Sequence, residues 1–314
     1  MGYARHKTFI RVSFFQVARP FRTATVGPMA PFDTGLAPTT APDVALRHIL
    51  ADCHADLRKY RAIVLASRRP IGIHQTRVAL RRLRAAFGLF RHAVDGPVVR
   101  ALSAEAKWLA GECAPARDLH VFLTETVEDV PPLVMRIARR LADTYVQRAR
   151  AALSGARYEA FDRQLHAFID LSPVHPTDRL DQFARAELAA HHAKVMKRGA
   201  KFESLDPHRL HRLRIAIKKA RYAADFLRPA FASAASTPYI EATVRLQGAL
   251  GAMNDRAVAR HVLADLATAA RPTEDVKKPL KRLAKQAEAG DKRRRRKLER
   301  AWKTFRKAER YWQA

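Results

Sequence analysis

His74, Arg77, Arg81 and Arg84 recur at a spacing that places them together on a helix. At about 100° per residue they share a stripe roughly 80° wide. Leu80, Leu83, Phe87 and Phe90 fall on the far side, and Arg82 falls off the stripe. A guanidinium presents a planar fork to phosphate oxygens. An imidazole orients its neighbours when neutral and donates to an anion when protonated. The chemistry served is anion binding. Like charges one turn apart repel by a few tenths of a kcal/mol per pair. No Asp or Glu lies between Asp56 and Asp95 to offset that repulsion. For a single run of this kind a solvated helix face is the plainer reading.

The run occurs twice. His211, Arg214, Lys218 and Arg221 repeat it 137 residues later, with Tyr222 beside His211 and Lys219 off the stripe like Arg82. The same offset carries His54 onto His191, Arg61 onto Arg198 and Phe168 onto Phe305. It carries Leu109-Ala-Gly111 onto Leu246-Gln-Gly248 and Arg117-Asp118 onto Asn254-Asp255. Two stripes at identical spacing favour an anion held between them. Arg117 is a further candidate contact. Asp118 and Asp255 read either as helix N-caps or as partners that orient a stripe arginine.

Other chemistries find less support. His208, His211 and the pair His191-His192 invite a metal, but no Cys or acidic cluster completes a site with recognisable spacing. No metal or cofactor is expected, and a His-based metal module is a weaker alternative. Cys53 and Cys113 do not repeat at the offset and read as buried thiols. No nucleophile elbow, phosphate loop or paired-carboxylate pattern is present, so catalysis is not expected.

The elements that must position these residues are helices. The 314-residue chain is 48% hydrophobic and 28% charged, with 12 glycines and only two cysteines. That composition suits a helical globular protein and excludes a disulfide scaffold. Proline-bounded periodic segments predict helices over 43–67, 72–93, 97–113, 118–128, 132–154 and 158–170. A second set covers 178–200, 207–229, 237–251, 255–269, 273–289 and 292–313. No apolar run is long enough to span a membrane. Residues 1–42 read as a basic, Pro-rich arm without a fold of its own. The fold class is therefore all-α: two pseudo-symmetric helical bundles, about 43–170 and 178–313, with Phe87, Phe90 and Phe226 in their cores.

A net charge of +29 points to a polyanionic partner. Residues 277–310 hold 16 Lys and Arg against four acids, including the run Lys292 to Lys297. The arm and this run suit nonspecific contact with nucleic acid. Trp302, Phe305 and Trp312 read as packing residues.

The segments His74-Gln-Thr-Arg77…Arg81-Arg82-Leu-Arg84 and His211-Arg-Leu-Arg214…Lys218-Lys219-Ala-Arg221-Tyr222 resemble the two signature helices of CHAD domains, the conserved histidine α-helical domains. Leu246-Gln-Gly248…Leu250-Gly251…Asn254-Asp255 resembles that family's following segment. The resemblance covers roughly 43–313. It implies two pseudo-symmetric helical bundles with a basic groove or pore between them, binding of inorganic polyphosphate, and a cytoplasmic protein often found on polyphosphate granules. The alternating Glu-x-Glu-x-Lys strand of the hydrolase domain fused to some family members is missing here, so that activity is not implied. The candidate polyphosphate contacts are the two stripes with Tyr222 and Arg117, and the offset pairs His54, Arg61, His191 and Arg198. Arg117-Asp118 against Asn254-Asp255 is one departure between the halves.

Overall fold

The computed structural model describes residues 36–171, 179–231, 233–289 and 291–313. Among these residues all regular structure is helical. The first six long helices are α1 (Pro42–Ala66), α2 (Pro70–Leu89), α3 (Pro97–Glu112), α4 (Ala114–Val121), α5 (Pro132–Ser154) and α6 (Ala156–Asp170). They are followed by α7 (Leu180–Arg198), α8 (Pro207–Phe226), α9 (Ser233–Thr268), α10 (Lys277–Glu288) and α11 (Asp291–Arg306). Five of these helices open on a proline, whose fixed φ suits a first turn and whose missing N–H is no loss there. That is why the prolines predict so many of the starts. Asp206 adds a side-chain cap to α8, accepting from the Arg209 N–H at 2.7 Å.

Besides α10, which begins at Lys277 and not at 273, and α11, which ends at Arg306 and not at 313, three boundaries differ from expectation. Residues 237–251 and 255–269 belong to one 36-residue helix, α9, which passes through Pro238 and Gly251. The equivalent stretch of the first half breaks at Cys113 between α3 and α4. Pro115 stands just past that break, whereas 137 residues later the chain has Ala252. Proline lacks the N–H a continuing helix needs and alanine supplies it. Second, α4 is short and passes into a π-helical turn at Phe122–Thr126. Third, the expected arm overlaps the fold. Most of it lies outside the described residues, but Leu36 packs on the core. The Leu180 and Asp181 N–H groups at the start of α7 donate to the carbonyls of Thr40 (2.8 Å) and Pro38 (3.0 Å). Residues 36–41 thus satisfy amides that an α-helix start leaves without partners.

The α2 and α8 helices are each 20 residues long, and both their ends differ by 137 positions. Each packs against the helix before it, α1 or α7, and the two pack against each other. The hydrophobic interior does not divide between the halves. One core runs from Ala45 on α1 through Phe87, Phe90 and Phe226 to Trp312. A smaller one joins α4, the π turn and α5 to the end of α9 and α10.

Candidate functional site

Most apolar residues of α2 and α8 are buried, which leaves the stripes on the faces that remain. His74, Arg77, Arg81, Arg214 and Lys218 are half-buried, and Arg84 is exposed. Arg81 is the centre of the group. Its Nε donates to the Tyr222 hydroxyl of α8 at 2.9 Å, a bond between residues 141 positions apart. Tyr222 is itself buried and stacked on Phe226. Arg81 bears electrostatically on His74, Arg77, Arg117, Arg214 and Lys218. The two stripes therefore meet.

Burial and mutual repulsion are written into the proton affinities. The Lys218 ammonium is pushed down to about 7 by burial and by Arg81, Arg214, Arg84 and Arg77. The His74 imidazole is pushed down to about 4 by burial and by Arg117, Arg81 and Arg77. Arg77 donates to the Ala110 carbonyl at 2.7 Å, which fixes one arm of its fork. Arg214 Nε is buried without an acceptor.

Acids enter at equivalent places. Asp118 is the acid facing Arg77, and Asp255, 137 residues on, is the acid facing Arg214. Both lie inside helices, so neither is an N-cap, and each favours the charged form of the stripe arginine it faces. Burial raises both carboxyls even so. Arg117 joins the group from α4 and pairs with Glu125 of the π turn at 3.5 Å. His120, one turn along α4, is pushed down to about 4 by burial and Arg117. Sequence reading missed His120 and Glu125, because neither has a like residue at the offset: the equivalents are Ala257 and Val262.

Several expected contacts lie elsewhere. Arg221 is buried, 4% exposed, and pairs with Asp225 one turn along α8 at 3.4 Å. The residue equivalent to Asp225 is Gly88, so Arg84 has no such partner at that position and stays exposed. Asp225 is raised to about 6 by burial, against the pull of Arg221 and Arg82. His54 bonds Asp162 of α6 at 2.7 Å. Arg61 bonds the Leu153 carbonyl and Glu159, at 2.7 and 2.6 Å, over the Tyr158 ring. Both knit α1 to α5 and α6. His191 lies 3.7 Å from Glu187 and is pushed down to about 4 by burial, Lys219, Lys194 and Arg91. Arg198 is exposed at the end of α7, and His211 is exposed near the start of α8. Off-stripe Arg82 points to α1 and bonds Asp56 at 2.8 Å.

Chemically the cluster is a concentration of partly buried cations. Both thiols are buried and pushed up to about 12, so neither supplies a thiolate at neutral pH. Among the described residues no group of three or more His, Cys, Asp or Glu can hold a metal. No helix among them is long and apolar enough to cross a membrane. A cavity of about 810 Å³ lies apart from the cluster, between α7 and the C-terminal residues around Arg306 and Trp312.

No curated protein matches the chain. Among solved structures it is similar to the CHAD domain from the plant Ricinus communis. The two share 26% identity with a TM-score of 0.76 over 90% of this chain and 98% of that one. It is also similar to PptA from Streptomyces chartreusis, with a TM-score of 0.58 over 88% of this chain and 100% of that one. At 15% identity that second likeness is one of fold. The CHAD domain model matches residues 48–264, which include both stripes, both acids that face them and Tyr222. On that match, with the all-helical fold around it, this chain belongs to the CHAD domain family.

Proposed function

We propose that this protein binds inorganic polyphosphate along the facing stripes of α2 and α8, without chemically altering it. The halves 43–170 and 178–313 each contribute one stripe to a basic groove on a pseudo-twofold axis. Arg77, Arg81, Arg84, Arg117, Arg214 and Lys218 supply the charge, and Tyr222 holds Arg81 in place. The observation that carries this reading is the electrostatic state of the cluster. Burial, and then the repulsion of the neighbouring guanidinium groups, depresses both Lys218 and His74. An anion along the stripes removes that repulsion, so binding relieves a cost already present in the fold. Nucleic acid is the poorer fit, because base recognition draws on exposed aromatic rings and Tyr222 is buried. A protein with this site collects where polyphosphate collects, on granules in the cytoplasm.

The test is competition. Labelled polyphosphate bound to the protein is challenged with DNA, RNA and heparin at matched charge. Polyphosphate should hold its place against all three, whereas equal displacement by each would reduce the site to a general polyanion surface. The double variant Arg81→Ala/Lys218→Ala should bind at least tenfold more weakly, since hydrogen bonds to charged groups contribute roughly 1.5–3 kcal/mol each.

A further inference from the structure

The α11 helix carries a second cationic stripe, beyond the residues that the family model matches. Its apolar residues Leu298, Ala301, Trp302 and Phe305 are buried, and the helix packs on α9. At about 100° per residue this leaves Arg293, Arg296, Lys297, Arg300 and Lys303 together on the opposite side. All five are exposed. Glu299 falls outside the stripe and pairs with Arg295 at 3.2 Å. From Arg293 to Lys303 the stripe runs roughly 15 Å along the helix. The aromatic rings of α11 face inward, so this surface offers charge without a stacking platform.

The α11 helix approaches the central cluster through α9, on which it packs. Arg294 of the same helix bears on Asp255, the acid that faces Arg214. Lys297 stands one turn from Arg294 on the side toward the stripe. The start of α11 is thus the part of the helix nearest the cluster, and the stripe begins there at Arg293.

We propose that the exposed face of α11 is a second polyphosphate-binding surface, which takes the part of a long chain that extends beyond the α2–α8 cluster. The inference rests on the polyphosphate reading of that cluster. Once the cluster holds one end, contact with α11 is intramolecular, and weak single contacts then add substantially to affinity. A short chain fills the cluster and gains nothing from α11.

The full chain is compared with the variant Arg293→Gln/Arg296→Gln/Lys297→Gln/Arg300→Gln, using tetrapolyphosphate, long-chain polyphosphate and duplex DNA. The four side chains are exposed, so an unchanged Tm checks the fold. The variant should bind tetrapolyphosphate within about twofold of the parent. It should bind the long chain at least tenfold more weakly, with a shallower salt dependence. The Lys-substituted counterpart at the same positions should restore long-chain affinity. A parallel loss for both lengths, or no loss for either, overturns the proposal while leaving the central site intact. Loss confined to duplex DNA assigns the surface to nucleic acid and also overturns it. If the parent chain binds neither length of polyphosphate, the reading of the central site fails as well.

Discussion

Lys218 stands among four guanidinium groups, and its charge is the adjustable one. Its folded value of about 7 lies below the ordinary 10.5 of an unhindered lysine. Between about pH 7 and 10 the unfolded chain holds a proton that the folded, unliganded protein lacks. The Lys218 contribution to stability therefore rises with pH through that window, and its full penalty is present below pH 7. Lys218→Met should raise Tm by a few degrees at pH 6 and by less at pH 9, read by thermal denaturation. A bound polyanion reverses the shift, so binding should take up a proton and tighten as pH falls from about 8 to 6. Lys218→Arg should flatten that dependence, because guanidinium stays charged throughout. His74→Gln should retain most of it, because His74 starts from about 4. The pH response thus belongs to the lysine of the stripe, although histidine is the residue whose ordinary range suggests it. A neighbouring pair separates binding from folding. Arg81→Ala should weaken binding with little effect on Tm. Arg82→Ala should leave binding nearly intact and cost about 1 kcal/mol of stability, because it removes the bond from α2 to the half-exposed Asp56. The different directions of the two side chains were legible on a helical wheel. The withdrawal of Arg221 was not, because the wheel ranks directions and takes no account of Asp225 one turn along.

At the scale of elements, the starts of helices were legible and their continuity was not. A proline at the first position is a local rule, and it placed α1, α2, α3, α5 and α8 within two residues. Whether a helix runs on depends on single substitutions within an otherwise matching pattern. Pro115 divides α3 from α4, and Ala252 lets α9 continue. Ala252→Pro should accordingly cost about 3 kcal/mol or more in urea denaturation, by imposing on α9 the break that α3 and α4 already have. Pro115→Ala should cost far less. The same rule explains the roles of Asp118 and Asp255. Both looked like residues at helix starts, but the helices begin earlier, and each acid faces the arginine that its own half supplies.

At the scale of the molecule, charge and core follow different patterns. With +29 on the chain, polyanion affinity should fall steeply as salt rises, and long-chain polyphosphate should raise Tm through linkage. The N-terminal boundary also matters here. Composition marks residues 1–42 as one segment, yet residues 36–41 cap α7. Removal of residues 1–35 should leave Tm nearly unchanged. Removal through residue 41 should lower it, because two amides at the start of α7 lose their acceptors.

The larger core, running from α1 through α8 to Trp312, bears on what happens when the chain is divided. A protein made of two self-sufficient units survives scission between them as two soluble pieces. Here each piece would expose the apolar surface that the other covers, so neither piece made alone should stay in solution. Made together from separate messages, fragments ending at residue 171 and starting at residue 179 should find each other and restore polyphosphate binding. The protein is thus suited to serve as a split reporter, silent until its halves are brought into the same compartment.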